Sequence, residues 1–258
     1  MSTMLGLATV TVAARFYTRL VIIKQLGADD WAVAVSWLFT LGVGITAIVA
    51  TKYGLGRHTS TLDPETFAGF LQCLYALIII YNFALGAVKA SFLLQYRRVF
   101  GVSRMLLLCN IGLGIVVLWS LLQVFLTAFF CSPPSGFWDI TGKSKCLPEL
   151  PFWYMNAAVN IFTDLMILIL PLPALSKLKL GRTQKYVLTG LFSLGFFTCA
   201  ISIIRIQTLK SAATSRDPTW ENVAAACYSI AETTCGTICI SVPTLRPLLA
   251  KALPQISS

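Results

Sequence analysis

Asn160–Pro173, NIFTDLMILILPLP, decides how this chain is read, because Asp164 stands there in about twenty residues that otherwise suit lipid. A carboxylate in hydrocarbon costs several kcal/mol unless it is paired, protonated or turned toward a wet cavity. Its spatial neighbours must therefore be polar even though its sequence neighbours are not. Asn156, Asn160 and Asp164 recur at a spacing of four and share one helix face with Thr163 beside them, so that stripe is expected to face the protein interior.

The composition around this stretch is that of a membrane protein. Of 258 residues, 57% are hydrophobic and 12% charged, and the mean hydropathy is +0.78, whereas soluble domains carry roughly 25% charged residues. Apolar windows predict seven spans: Met4–Leu20, Trp31–Ala50, Phe70–Gln95, Met105–Phe130, Phe152–Leu175, Tyr186–Thr208 and Val223–Leu249. The expected fold is an all-α, polytopic seven-transmembrane helix bundle, one heptahelical domain over residues 1–258. The first span is short, which suggests that the natural N-terminus extends further.

Basic residues set the expected orientation. One set of loops and flanks holds Arg15, Arg19, Lys24, Arg97, Arg98, Arg104, Lys177, Lys179, Arg182, Lys185, Arg246 and Lys251. The other set holds Lys52, Arg57, Lys143, Lys145, Lys210 and Arg216. Twelve against six places the first set in the cytoplasm, the N-terminus outside and the C-terminus inside. The net charge of +10 is spread through short loops rather than gathered on a soluble face, so no nucleic-acid partner is expected. The bilayer is the expected partner and the plasma membrane the default location.

Counting Asp29 and Asp30 as loop residues, this division leaves four charges inside the membrane: Lys89, Asp164, Arg205 and Glu232. Their sum is zero, as in a paired interior network. Helical rise from each span's midpoint matches Lys89 with Asp164 and Arg205 with Glu232 in depth. Three readings stay open: a ligand, proton or ion site, a static clamp on helix register, or an Arg205 that simply snorkels outward. Tyr81 and Asn82 lie at a depth where they could add hydrogen bonds.

Of the eight cysteines, Cys73, Cys131 and Cys146 fall at the face expected to be extracellular, where disulfides form. Cys131 with Cys146 is the favoured bridge, because the intervening loop is short and carries a Pro-Pro turn; Cys73 with the loop, or free thiols, are the alternatives. Gly54-Leu55-Gly56-Arg57-His58 reads as a glycine-permitted tight turn, or as a lid over an outer vestibule, and its lone histidine lacks partners for a metal site. Arg97 and Arg98 stand where rhodopsin-class receptors place a G-protein-contacting arginine, without the acid that normally precedes it; positive-inside anchoring explains them equally. Lys177, Lys179, Arg182 and Lys185 suit anchoring or anionic lipid headgroups. No nucleophile elbow, HExxH, P-loop or phosphate-binding glycine run is present, so no enzyme is expected.

Several pieces in order, RFYTRL before Asp29-Asp30-Trp31, GLGRH, VKASFLLQYRRVF, the Cys131–Cys146 loop with Trp138, NIFTDLMILILPLP, LFSLGFFTCAISIIRI and VPTLRPLL, make the chain resemble the fungal rhodopsin-domain family of seven-span membrane proteins. The family's name suggests retinal, but a Schiff base would need a lysine in the last span, and Val223–Leu249 contains none. No cofactor is expected. The resemblance implies a GPCR-like membrane protein: a receptor-like sensor with a small-molecule site in the bundle core or outer vestibule and a possible G-protein partner, or alternatively a proton-coupled carrier or a membrane scaffold.

Overall fold

The computed structural model describes residues 2–99, 103–139, 144–172, 196, 200–204, 207, 217–245 and 248. Six long helices carry the architecture: α1 (Ser2–Tyr17), α2 (Ala28–Lys52), α3 (Pro64–Val99), α4 (Ser103–Ala128), α5 (Glu149–Ile169) and α6 (Pro218–Ser241). Together with the turns that extend α1 to Ile23 and α6 to Leu245, all six are long and apolar enough to cross a membrane. The short first span of the sequence reading is therefore revised. A wider π-helical turn over Thr18–Ile23 continues α1, and the path of 22 residues suffices for a crossing. Of the expected span Tyr186–Thr208, residues 200–204 are helical, and most of the remainder lies outside the described residues, as do Arg205, Lys177, Lys179, Arg182 and Lys185.

The outer surface is what hydrocarbon requires. Leu118, Phe125, Phe162 and Val10 are all exposed on the helix flanks, while small and polar groups turn inward. Leu5, Val43, Ala47, Leu77, Tyr81 and Ile230 form the main core between α1, α2, α3 and α6. α6 runs through the centre, with Thr233, Thr234, Thr237 and Ser241 fully buried. Such a polar helix can occupy the centre because most of its hydroxyls bond their own backbone: Thr233 to the Ser229 carbonyl, Thr237 to Thr233 and Ser241 to Thr237.

One end of the bundle is closed by loops. Cys131 and Cys146 are disulfide-bonded, with Cα atoms 4.0 Å apart, in register across a two-stranded ribbon of β1 (Cys131–Ser132) and β2 (Lys145–Cys146). Cys73 stays a free thiol, so the bridge is the shorter of the two considered. Tyr75 of α3 donates to the Ala128 carbonyl at 2.9 Å and packs edge-on against Trp138, which ties the loop to the bundle. At the same end Gly54 and Gly56 take φ of +102° and +91°, the left-handed values that make the α2–α3 turn tight.

Candidate functional site

Two buried polar clusters and one cavity organise the interior. The deeper cluster begins with Lys89 on α3, whose Nζ lies 3.0 Å from Asp164 Oδ1 on α5. The same ammonium donates to the Asn160 carbonyl at 2.9 Å, to Asn160 Oδ1 at 2.6 Å and to Thr163 Oγ1 at 2.6 Å. Asn160 passes the network on, donating from Nδ2 to Glu232 Oε1 on α6 at 2.9 Å. Ser202 lies within hydrogen-bonding reach of both Glu232 and Asp164, and the Tyr81 hydroxyl donates to the second Glu232 oxygen. Asp164 and Glu232 thus share Asn160 and Ser202, and Lys89, Asp164 and Glu232 belong to one connected constellation. The Asn156–Asn160–Asp164 face turns inward, and Asn156, Asn160 and Thr163 are buried. Asn82 donates to the Ile78 carbonyl of its own helix at 3.0 Å.

A cavity of about 400 Å³ lies between the Cys131–Cys146 loop and this cluster. Its walls are mainly Leu71, Leu74, Leu77, Ile78, Phe130 and Trp153, its inner end carries Tyr81, Asn82 and Asn156, and it reaches the surface at exposed Glu149. Tyr81 lines the cavity with its body and holds Glu232 with its hydroxyl. That size falls within the 300–1,000 Å³ typical of small-molecule sites, as does the mix of apolar walls and few polar groups.

The cavity's mouth is strapped by the GLGRH turn. His58 Nδ1 lies 2.6 Å from Asp217 Oδ2, and its ring stacks on Trp220 at 4.8 Å. Asp217 also accepts from the Thr59 amide at 2.8 Å, and Thr219 Oγ1 donates to the Arg57 carbonyl at 2.7 Å. The His58 contact and the two Thr59 bonds hold the Asp217 carboxyl well below the ordinary carboxylate range. Leu55 and Pro218 from this strap line the cavity itself.

The second cluster was missed by the charge count, which placed Arg15, Arg19, Asp29, Asp30 and Arg98 in solvated flanks. Arg15 is wholly buried, and Asp29 and Asp30 are 3% and 1% exposed. The Arg15 guanidinium binds Asp30 Oδ1 at 2.9 Å, Asp29 Oδ2 at 2.7 Å, Gln95 Oε1 at 3.0 Å and the Ile240 carbonyl at 2.6 Å. Arg98 adds a bond to Asp29 Oδ1 at 2.8 Å, and Arg19 flanks both acids at 3.3 Å. The acids sit in the first turn of α2, where the helix dipole favours negative charge. The interior therefore holds more charge than the four residues expected. Arg97, beside Arg98, is half-buried.

This frame matches a known family. The model of the fungal rhodopsin domain covers residues 14–251. The chain belongs to the fungal rhodopsin domain family. Among curated members, it is 28% identical over 221 residues to a SAT4 family membrane protein of Emericella nidulans, covering 83% of this chain and 56% of that one. It is 25% identical over 260 residues to the polyenoic acids biosynthesis gene cluster protein Ba17b of Metarhizium anisopliae, covering 95% and 71%. It is 24% identical over 260 residues to Receptor GIN3 of Arthrobotrys oligospora, covering 98% and 62%. This fungal rhodopsin domain chain thus spans between about half and three quarters of the length of these relatives. No solved structure matches it.

Proposed function

We propose that this membrane protein is a receptor-like sensor, not an enzyme, whose ligand enters the cavity beneath the Cys131–Cys146 loop. The observation that carries the reading is Tyr81, which lines the cavity and also bonds Glu232 of the buried cluster. A ligand that takes the Tyr81 hydroxyl weakens its hold on Glu232, and Glu232 shares Asn160 and Ser202 with the Lys89–Asp164 pair. Occupancy at one end thereby shifts the balance among α3, α5 and α6. At the other end Arg15 holds the Ile240 carbonyl, one turn before Pro243 in the 3-10 turn that ends α6, so a shift of α6 reaches that face.

The proposal includes seven spans, the apolar run Tyr186–Thr208 joining the six described helices, with the N-terminus outside and the C-terminus cytoplasmic. The excess of basic residues at the Arg15 end supports that orientation, as does a disulfide at the opposite end, on the oxidising side. The plasma membrane is the proposed location and a G protein the proposed cytoplasmic partner, near Arg97 and Arg98. Lys177, Lys179, Arg182 and Lys185 are assigned to lipid headgroups. Retinal has no place in the proposal, since the last span carries no lysine.

The test is nucleotide exchange on a co-expressed G protein during a small-molecule screen. Active compounds are expected to lose effect when the cavity is filled by Ala226→Trp or Leu74→Trp. Compounds that are instead taken up into proteoliposomes without stimulating exchange would establish a carrier, a reading favoured by the two carboxylates that share Asn160 and Ser202. Exchange that persists with the cavity filled would put the site elsewhere.

A further inference from the structure

Two amides beside the cavity have no hydrogen-bond partner among the described residues. Gln123 of α4 is 1% exposed, and neither its Oε1 nor its Nε2 makes a hydrogen bond. Asn156 of α5 is 8% exposed, and its side chain makes no hydrogen bond among the described residues. A buried amide left unpaired costs about 1–3 kcal/mol per group. Both border the same empty space: a small inner pocket of about 20 Å³, lined by Gln123, Lys89 and Thr163, which shares Asn82 and Asn156 with the inner end of the large cavity. The pocket suits a single small polar group.

The charge state of that group follows from its neighbours. Lys89 lines the pocket, but its three N–H bonds already face four oxygens, from Asn160, Thr163 and Asp164. An anionic head would have to displace Asp164. Glu232 is likewise engaged by Tyr81, Asn160 and Ser202. The carboxylate that lines the large cavity is Glu149, at the surface, too far out to meet a cationic head seated at Gln123. What the two amides offer is one donor and one acceptor side each.

Resting on the sensor reading of this cavity, we propose that the ligand is an uncharged amphiphile. Its apolar body fills the chamber walled by Leu74, Leu77 and Phe130, and a small head that both donates and accepts, a hydroxyl or a primary amide, sits between Asn156 and Gln123. Gln123 is thereby a specificity-determining residue on α4, whose other buried residues include Cys109, Val116 and Thr127.

The test uses five eight-carbon probes, 1-octanol, octanamide, octanoate, octylammonium and octane, on the full chain in lipid nanodiscs at pH 7. Thermal stabilisation is read against the filled-cavity variant Ala226→Trp, or Leu74→Trp if the first does not fold, which subtracts partitioning into the bilayer. 1-Octanol and octanamide are expected to act at concentrations at least tenfold lower than the other three. Gln123→Leu and Asn156→Leu are each expected to erase that preference while octane still acts. If all five probes act alike, or the preference survives in both leucine variants, water occupies the amides and the ligand class is wrong, while the cavity reading stands. If no probe distinguishes wild type from the filled variants, the cavity is not a binding site and both conclusions fall.

Discussion

The two buried polar clusters are built from similar charges and differ in what surrounds them. Around Arg15, four of the five N–H donors of the guanidinium meet a carboxylate, an amide oxygen or a carbonyl, and four helices meet there: α1, α2, α3 and the end of α6. Around Lys89, the ammonium is equally well coordinated, but among the described residues the neighbouring amides of Gln123 and Asn156 make no side-chain hydrogen bond, and both border open volume. A densely bonded cluster resists rearrangement, whereas one that borders a cavity can exchange a protein partner for a ligand group. The Arg15 cluster is thus suited to hold the helix ends together and the Lys89 cluster to respond.

This contrast predicts a ranking of damage, and the largest effect belongs to Arg15. Arg15→Met leaves the buried Asp29 and Asp30 with the longer Arg19 contacts, the partly exposed Arg98 and, for Asp30, the Gly27 amide. Removing one partner of a buried ion pair costs about 3–5 kcal/mol, so a near-complete loss of folded yield is expected in fluorescence-detected size exclusion. Arg15→Lys is expected to rescue little, since an ammonium cannot reproduce the fork that reaches both acids. A variant that folds normally and merely loses signalling would reverse the assignment of the two clusters.

Lys89→Met and Asp164→Asn come next. When Lys89 is removed Asp164 keeps Asn160 and Ser202 within hydrogen-bonding reach, so its carboxylate is not left bare. Each single change is expected to cost about 1.5–3 kcal/mol, as for hydrogen bonds to charged groups. The double variant should recover part of this, because neither charge is then left alone. Melting temperatures of the four proteins in nanodiscs measure the coupling, and strictly additive losses would mean that the 3.0 Å approach is energetically idle.

How much of this could be read in advance depended on whether a polar residue stood out from its surroundings. Asp164 and Lys89 did, deep in apolar runs, and helical rise alone matched their depths. Cys131 and Cys146 did, on one short loop. Arg15 and Asp29 did not, because a charge near the end of a span looks the same in sequence whether it reaches water or turns inward. The available signal was the Asp29-Asp30 pair, two adjacent acids on a face otherwise crowded with bases, placed beside Arg15 and Arg19 at helical spacing. Gln123 was as anomalous within LLQVF as Asp164 was in its own span, but an uncharged residue escapes a tally of charges. Arg205, matched in depth with Glu232, lies outside the described residues.

The smallest expected effect lies at the cavity's mouth and sets the lower end of the ranking. Asp217 holds the strap through His58 and Thr59, but it is solvent-accessible, as is His58. Its carboxyl titrates below the ordinary value of 3.8 in the folded chain, because those hydrogen bonds favour the charged form. A depressed folded value means that the stabilisation is fully present above the unfolded value and is lost as pH falls through the folded one. Wild type should therefore lose this contribution only below about pH 4, whereas Asp217→Asn should lack it at every pH and lose nothing further there. Amide hydrogen exchange of Thr59 and Thr61, followed from pH 6 to pH 3 after correction for the intrinsic rate, reads the strap directly. Faster exchange in Asp217→Asn at pH 6, with a difference from wild type that only begins to narrow toward pH 3 because the folded carboxyl is still ionised there, is the expected pattern. Equal exchange at pH 6 would mean that the backbone bond from Gly56 to the Thr219 carbonyl and the tight glycine turn hold the strap without Asp217.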